Sequence, residues 1–331
     1  MDIYIKQPRL LGHAAAEMAD GILIVDKPEG LTSHDVVARL RRILRTRRVG
    51  HTGTLDPFAT GVLVICLNRA TRLAQFLSGD EKEYLATLRL GYGTDTGDLT
   101  GTALTPANDA RHISPESLQA ALVHFRGRIQ QVPPMYSAKK VGGVRLYDLA
   151  RRGEAIARQP IEVEIKQLEL CPLEANSNLM FCDHPDGTRD FKLRVVCSAG
   201  TYVRTLAEDI GRELGLGAHL AALRRTRAGD CRLEQAVTLQ RLAEMAEAGT
   251  AWPSVIPMAR ALTLPALQVN ESERVMLTHG RAIARKSHWP KENWRDGERI
   301  KLCHGEATLL AIAEYDQRAE LLRPRLVLSE A

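Results

Sequence analysis

A chain of 331 residues with 44% hydrophobic and 26% charged residues has the make-up of a soluble globular protein, long enough for one large domain and a small one. Its 45 Lys and Arg against 40 Asp and Glu leave only +5, so any nucleic-acid surface must come from uneven placement of the basic residues. No apolar run approaches the roughly 20 residues of a membrane helix and the N-terminus has no signal-peptide core, which points to the cytoplasm and away from a membrane.

Met1 to Asp20 lacks periodicity and reads as a loose leader. Gly21 to Val25 is expected as a buried strand, ended by a turn from Asp26 to Gly30. Lys27, before Pro28, reads equally as a solvated turn lysine or a site residue. Thr32 with Asp35 three residues on predicts a capping box. The helix it opens has an apolar face of Val36, Val37, Leu40, Ile43 and Leu44. Its other face and the residues after it carry Arg39, Arg41, Arg42, Arg45, Arg47 and Arg48 with no interleaved acid. Six like charges beside a glycine loop favour a phosphate-backbone contact over a merely solvated face.

The next stretch, Arg48 to Leu63, has an unusual grammar. Gly50, Gly53 and Gly61 permit positive φ and close backbone approach, and Pro57 disfavours a helical conformation at Asp56. A single carboxylate is thus held in a tight loop ahead of a buried strand, Val62 to Leu67. An aspartate capping a turn is the plain reading. The glycine spacing, His51 five residues earlier and the basic helix leading in argue for a functional one.

Glu83 to Leu90 alternates as a strand with Tyr84, Ala86, Leu88 and Leu90 on one face. The Gly91 to Gly101 loop lacks calcium-loop spacing and reads as plain turns. Ser114-Pro115 starts a helix burying Leu118, Leu122 and Phe125. Arg126 to Arg152 is basic, punctuated by Gly and Pro, and has the composition of a functional loop; Tyr136 within it either packs locally or faces a ligand. Ile161 to Ile165 and Phe191 to Val195 are expected strands, with a polar loop from Leu173 to Asp190 between them. After Cys197 to Thr205 a helix should bury Leu206, Ile210 and Leu214 and stop at Gly215. Arg224, Arg225 and Arg227 form a second basic cluster. Trp252-Pro253 and Pro257 mark a boundary, beyond which β-like runs appear at Arg299 to Cys303, Thr308 to Ala313 and Arg325 to Leu328, with a turn at Asp296-Gly297. None of the six cysteines forms a C-x-x-C pair, so no structural metal site is expected.

The run GHTGTLDPFATGVL from Gly50 to Leu63 resembles the catalytic motif of the TruB-type tRNA pseudouridine synthases. Further matches follow in order: Lys27-Pro28, Cys197 to Thr205, and Ala218 to Gly229, with a weaker C-terminal continuation whose motif-like piece is His279-Gly280-Arg281. The resemblance implies Asp56 as the catalytic residue, Arg204 as its ion partner, and Tyr84 stacking on a flipped base. It implies Tyr202 beneath that base, Leu223 lining the pocket, His51 inserted where the base leaves the RNA stack, and Lys27 in the site. The arginines Arg41, Arg42 and Arg45 are the expected substrate contacts of the basic helix. By composition alone Leu223 and Tyr84 could equally be core. A guanidinium beside Asp56 would lower its pKa and favour the ionised form.

Periodicity alone gives a mixed α/β chain. The resemblance implies the pseudouridine-synthase fold, α/β (α+β) with a mainly antiparallel mixed sheet, over residues 21–255, with an RNA-gripping insertion at about 126–155. Residues 256–331 would form a small PUA-like β-barrel, after a leader at 1–20. The implied reaction isomerises uridine-55 in the T loop of tRNA, with tRNA (T arm) as partner, no cofactor and no obligate protein partner. Two rivals remain: a nucleic-acid glycosylase and a non-catalytic RNA-binding or RNA-folding protein.

Overall fold

The apolar run Gly21–Lys27 forms β1, with every residue but Asp26 buried. The computed structural model describes residues 20–137, 140–141, 144–145, 156–174, 176–251, 254–284, 286, 294–305 and 308–328. The expected leader up to residue 19, Trp252-Pro253 and, within the expected insertion, residues 138–139, 142–143 and 146–155 lie outside the described residues. The capping box forms: Thr32 Oγ1 accepts from the Asp35 amide at 3.0 Å, and Asp35 Oδ2 accepts from the Thr32 amide at 2.9 Å. Helix α1 (Ser33–Ile43) lays Val36, Val37 and Leu40 on Leu23 and Val25 of β1. Strands β2 (Val49–His51) and β3 (Thr60–Leu67) follow, then β4 (Lys82–Leu90), α2 (Pro115–Leu122) and β5 (Gly127–Gln131). A two-stranded sheet pairs β6 (Lys140–Val141) with β7 (Val144–Arg145). Next come β8 (Ile161–Cys171), β9 (Phe181–Asp183), β10 (Arg189–Cys197), α3 (Val203–Glu213) and β11 (Ala218–Ala228). The short β12 (Cys231–Arg232) and β13 (Val237–Thr238), then α4 (Leu239–Glu247) and β14 (Ile256–Pro257), complete this part.

Twelve strands share one sheet, whose spine runs β13-β1-β3-β11-β4-β10-β8-β5. Pairing along it is antiparallel except at β1·β13 and β3·β11, as the expected mixed sheet requires. The alternation of β4 is as expected: Tyr84, Ala86, Leu88 and Leu90 are buried. They meet Leu118 and Leu122 of α2 and Leu206 and Ile210 of α3 in one core. Two expectations shift. The basic stretch from Arg126 is not all loop, since β5 pairs with β8 at its start. The polar segment before β10 includes β9, paired with β10 at Phe181 to Asp183.

The parallel seam β3·β11 brings two distant signatures together, with Thr60 opposite Arg224 and Gly61 opposite Arg225. Gly61 has φ +100°, and a Cβ there would lie 2.2 Å from the Arg225 carbonyl oxygen. Only glycine fits this crossing without strain.

The C-terminal strands β15 (Ala266–Gln268), β16 (Ile283–Ala284), β17 (Arg299–His304), β18 (Thr308–Asp316) and β19 (Leu321–Val327) form a second sheet, ordered β15-β17-β18-β19-β16. It curls as a half-barrel over its own core of Trp294, Leu302, Tyr315 and Leu322. Its other apolar side is shared: Cys303, Leu309, Ile312, Leu326 and Leu328 join Ile22, Ile24, Val62 and Val64 in one cluster. The second sheet is therefore packed onto β1 and β3. His279-Gly280-Arg281 ends α5 (Glu271–Thr278), where Gly280 takes φ +69° and the Arg281 amide donates to Met276 O.

Candidate active site

Asp56 sits in a loop fastened at several points. Ser33 Oγ accepts from the Leu55 amide at 2.9 Å and donates to the Leu55 carbonyl at 3.2 Å. The Gly30 amide donates to Pro57 O at 2.8 Å. Lys27 is fully buried, and its ammonium donates to Pro28 O, Leu31 O and Pro57 O at 2.8, 2.6 and 3.1 Å. Its three protons are thereby taken. Burial holds its pKa down at about 8. Lys27 is not the solvated lysine that the sequence allowed; it clamps the turn after β1 to the peptide following Asp56.

Arg204, in the first turn of α3, meets the carboxylate at two points: Nε to Oδ2 at 2.9 Å and Nη2 to Oδ1 at 3.2 Å. The guanidinium also donates through Nη1 to Thr96 O at 2.8 Å and through Nη2 to Tyr136 O at 2.7 Å. Asp98 Oδ2 stands 4.0 Å from Nη1. The other oxygen of Asp98 accepts from Thr96 Oγ1 and from the Thr100 amide and hydroxyl. The loop expected as plain turns thus supplies both a carbonyl and a second acid to the cation. Asp56 differs in one respect from the sequence expectation. Burial raises its pKa above the ordinary carboxylate value, Arg204 pulls it down, and Asp98 adds to the rise. A third of the side chain remains open to solvent.

Tyr84 and Leu223 lie on facing strands in the same core as Leu55 and Phe58 of the Asp56 loop. Both are buried and belong to that core. Tyr202 is the half-buried cap residue of α3. Its amide donates to Gln131 Oε1 at 3.0 Å, and Gln131 Nε2 donates to its carbonyl at 3.3 Å. Gln131 is fully buried and carries no signal in the sequence. His51 on β2 is half-buried, edge-on to His34 at 5.4 Å between ring centroids. Burial pushes its pKa down to about 4, with His34 and Arg225 acting the same way, so the ring is neutral at physiological pH.

The two basic clusters behave differently. Arg39, Arg41, Arg42, Arg45, Arg47 and Arg48 are all exposed, and among the described residues none forms an ion pair with a carboxylate. In the second cluster Arg224 pairs with Asp26 at 2.8 Å, Arg227 pairs with Glu81, and Arg225 is buried. That cluster is internal structure, not a free cationic surface. Among the described residues no group of His, Cys, Asp and Glu is placed to hold a metal ion. The Asp56 site offers one carboxylate fixed by a guanidinium, in a loop packed on an aromatic and aliphatic core. It can attack a sugar carbon through an oxygen or take up a proton.

Comparison with known proteins decides the family. Residues 41–203 match the model described as the TruB family pseudouridylate synthase N-terminal domain, and residues 204–263 that of the tRNA pseudouridylate synthase B C-terminal domain. A tRNA pseudouridine synthase B from Bacillus pumilus is 38% identical, covering 95% of this chain and 99% of its own. The chain belongs to the TruB family of pseudouridylate synthases. A TruB relative from Burkholderia lata, also a tRNA pseudouridine synthase B, is 41% identical over 95% of this chain and 92% of its own. A solved Cbf5-Nop10-Gar1 complex includes a chain with TM-score 0.71 and 26% identity, covering 95% of this chain and 86% of that one. The expected pseudouridine-synthase fold is borne out. The TruB segment around Arg224 to Arg227 misleads by composition, because charge alone cannot tell a buried, carbonyl-saturated arginine from an exposed one.

Proposed function

We propose that this enzyme converts uridine-55 in the T loop of tRNA to pseudouridine. The reaction cleaves C1′–N1, turns the uracil in place, and joins C1′ to C5; C5 then loses a proton and N1 gains one, so the base keeps its composition. Support comes from family membership, from relatives named tRNA pseudouridine synthase B, and above all from the two-point grip of Arg204 on Asp56. Asp56 acts as nucleophile at the sugar or as base in an elimination. Arg204 orients it, Tyr84 stands near C5, and Tyr202 and Leu223 hold the flipped base. His51, a neutral ring at the loop's edge, occupies the gap left in the RNA. Flipping costs a few kcal/mol of stacking, offset by contacts from Arg41, Arg42 and Arg45 to phosphates. In this reading residues 21–255 are the catalytic domain and residues 256–331 an RNA-binding extension of it.

Incubation with unmodified tRNA followed by nucleoside analysis tests the proposal. Pseudouridine at position 55, abolished by Asp56→Asn, is the expected result. Free uracil would make the enzyme a glycosylase, and an unchanged RNA would leave only a binding or folding role.

A further inference from the structure

Arg225 is 2% exposed, yet among the described residues no carboxylate pairs with it. Its guanidinium is taken up by main-chain oxygens instead: Nε donates to Val62 O at 2.7 Å, Nη2 to Gly53 O at 3.2 Å and Nη1 to Thr54 O at 3.4 Å. Two of these carbonyls belong to the segment leading into the Asp56 loop, and the third to the strand leaving it. On the other side, Arg225 stands directly opposite Tyr84 in the β11·β4 ladder, with Leu223 opposite Ala86 two residues earlier on the same face. Burial raises the pKa of the Tyr84 phenol, and the nearby guanidinium opposes that rise. The ladder shifts register just after this residue, between Arg225 and Arg227. Such a bulge re-aims a side chain. Gly61, pressed against the Arg225 carbonyl, fixes the backbone at the same point.

A desolvated cation with no counter-ion is costly unless its donors are matched. A purely apolar residue would fill this space at less cost, so what the arginine adds is orientation and charge beneath a phenol. We infer that Arg225 is a positioning residue for the isomerisation, tying the Asp56 loop to the strand position that carries Tyr84 and placing a cation near its phenol. The inference rests on the proposed function, in which the Tyr84 oxygen stands nearest C5. There the phenol passes its hydroxyl proton to N1 through water, and the phenolate oxygen takes the C5 proton in return as the C5–H pair restores the ring double bond. The cation steadies the charge that builds on the oxygen during that exchange.

The test compares the wild type with Arg225→Lys, which keeps the charge and loses the fork, and Arg225→Gln, which keeps hydrogen bonding and loses the charge. Single-turnover rates are measured with tRNA carrying hydrogen or deuterium at C5 of the target uridine, alongside tRNA affinity and thermal unfolding. A displacement of about 1 Å in a catalytic group costs about 100-fold in rate. Both variants should lose on the order of that factor with tRNA affinity within a few fold of wild type. Slow proton removal should then show as a C5 deuterium isotope effect larger than the wild-type value, with Arg225→Gln the larger. A rate loss with an unchanged isotope effect, or a failure of both variants to fold, makes Arg225 a packing residue and overturns the inference. A wild-type enzyme that forms no pseudouridine sinks the proposed function instead, and is recognised before any variant is made.

Discussion

The backbone of Gly61 presses so closely on Arg225 that a methyl group at position 61 would lie 2.2 Å from the Arg225 carbonyl oxygen. Gly61 also has φ +100°, where side chains are strained. Gly61→Ala should therefore cost at least ~2 kcal/mol from overpacking and backbone strain together. Thermal unfolding should show a Tm several degrees lower, and turnover should fall because the Asp56 loop ends at this seam. An unchanged Tm would mean that the seam yields freely.

Lys27→Met keeps the length of the side chain and removes the ammonium that three carbonyls share. Buried acceptors left unpaired cost about 1–3 kcal/mol. Stability and turnover should both fall, while tRNA affinity stays within a few fold, because Lys27 is wholly covered by protein. A large drop in tRNA affinity in a well-folded variant would place Lys27 in the substrate-binding set.

These two residues show what the sequence conceals. Asp56 is legible because glycine spacing and Pro57 leave a pattern along the chain, and the Tyr84 face is legible because a strand alternates. The capping box at Thr32 and Asp35 is likewise local and forms as expected. Lys27, Gln131, Asp98 and Arg225 are illegible because their roles depend on partners far away in sequence. Gln131 meets Tyr202, and Asp98 approaches Arg204 out of a loop whose composition is that of ordinary turns. Composition ranks lysine and arginine as surface residues, and only the fold shows two of them buried and saturated by carbonyls. The domain boundary is half legible: the β-pattern after Pro257 is real, but the shared core with β1 and β3 has no signature in the chain.

That shared core sets an expectation for truncation. Ending the chain after Pro257 would strip Cys303, Leu309, Ile312, Leu326 and Leu328 from Ile22, Ile24, Val62 and Val64. Each large apolar side chain uncovered costs about 1.5–3 kcal/mol. The shortened protein should unfold at markedly lower temperature and aggregate. If it remains monomeric with a wild-type Tm, the two sheets are energetically independent.

The exposed arginines of α1 and the turn after it carry the affinity prediction. Replacing Arg41, Arg42 and Arg45 together with Ala should weaken tRNA binding and flatten its dependence on salt. Every phosphate that goes unneutralised lowers the log–log slope by about 0.7–0.9. Arg41 also donates to Val49 O at 3.1 Å, so Tm is measured alongside to separate a loosened β2 from weaker phosphate binding. An unchanged slope would return this face to plain solvent exposure.

The sharpest expectation concerns acid pH. Burial lifts the Asp56 pKa above the ordinary carboxylate value, and Arg204 is the largest influence opposing that rise. Both proposed routes need the ionised carboxylate, so the single-turnover rate at saturating tRNA should fall as pH drops through that raised pKa. The acid limb then lies above the range of an exposed aspartate. Arg204→Lys keeps a positive charge but loses the planar fork that holds both oxygens. The opposing pull weakens, the pKa rises further, and the acid limb should move to higher pH, with a lower plateau because the carboxylate is less well oriented. Asp56→Asn cannot ionise at all and should give no pseudouridine at any pH, with tRNA affinity within a few fold of wild type. An acid limb that stays in place in Arg204→Lys would show that the limb reports a group other than Asp56.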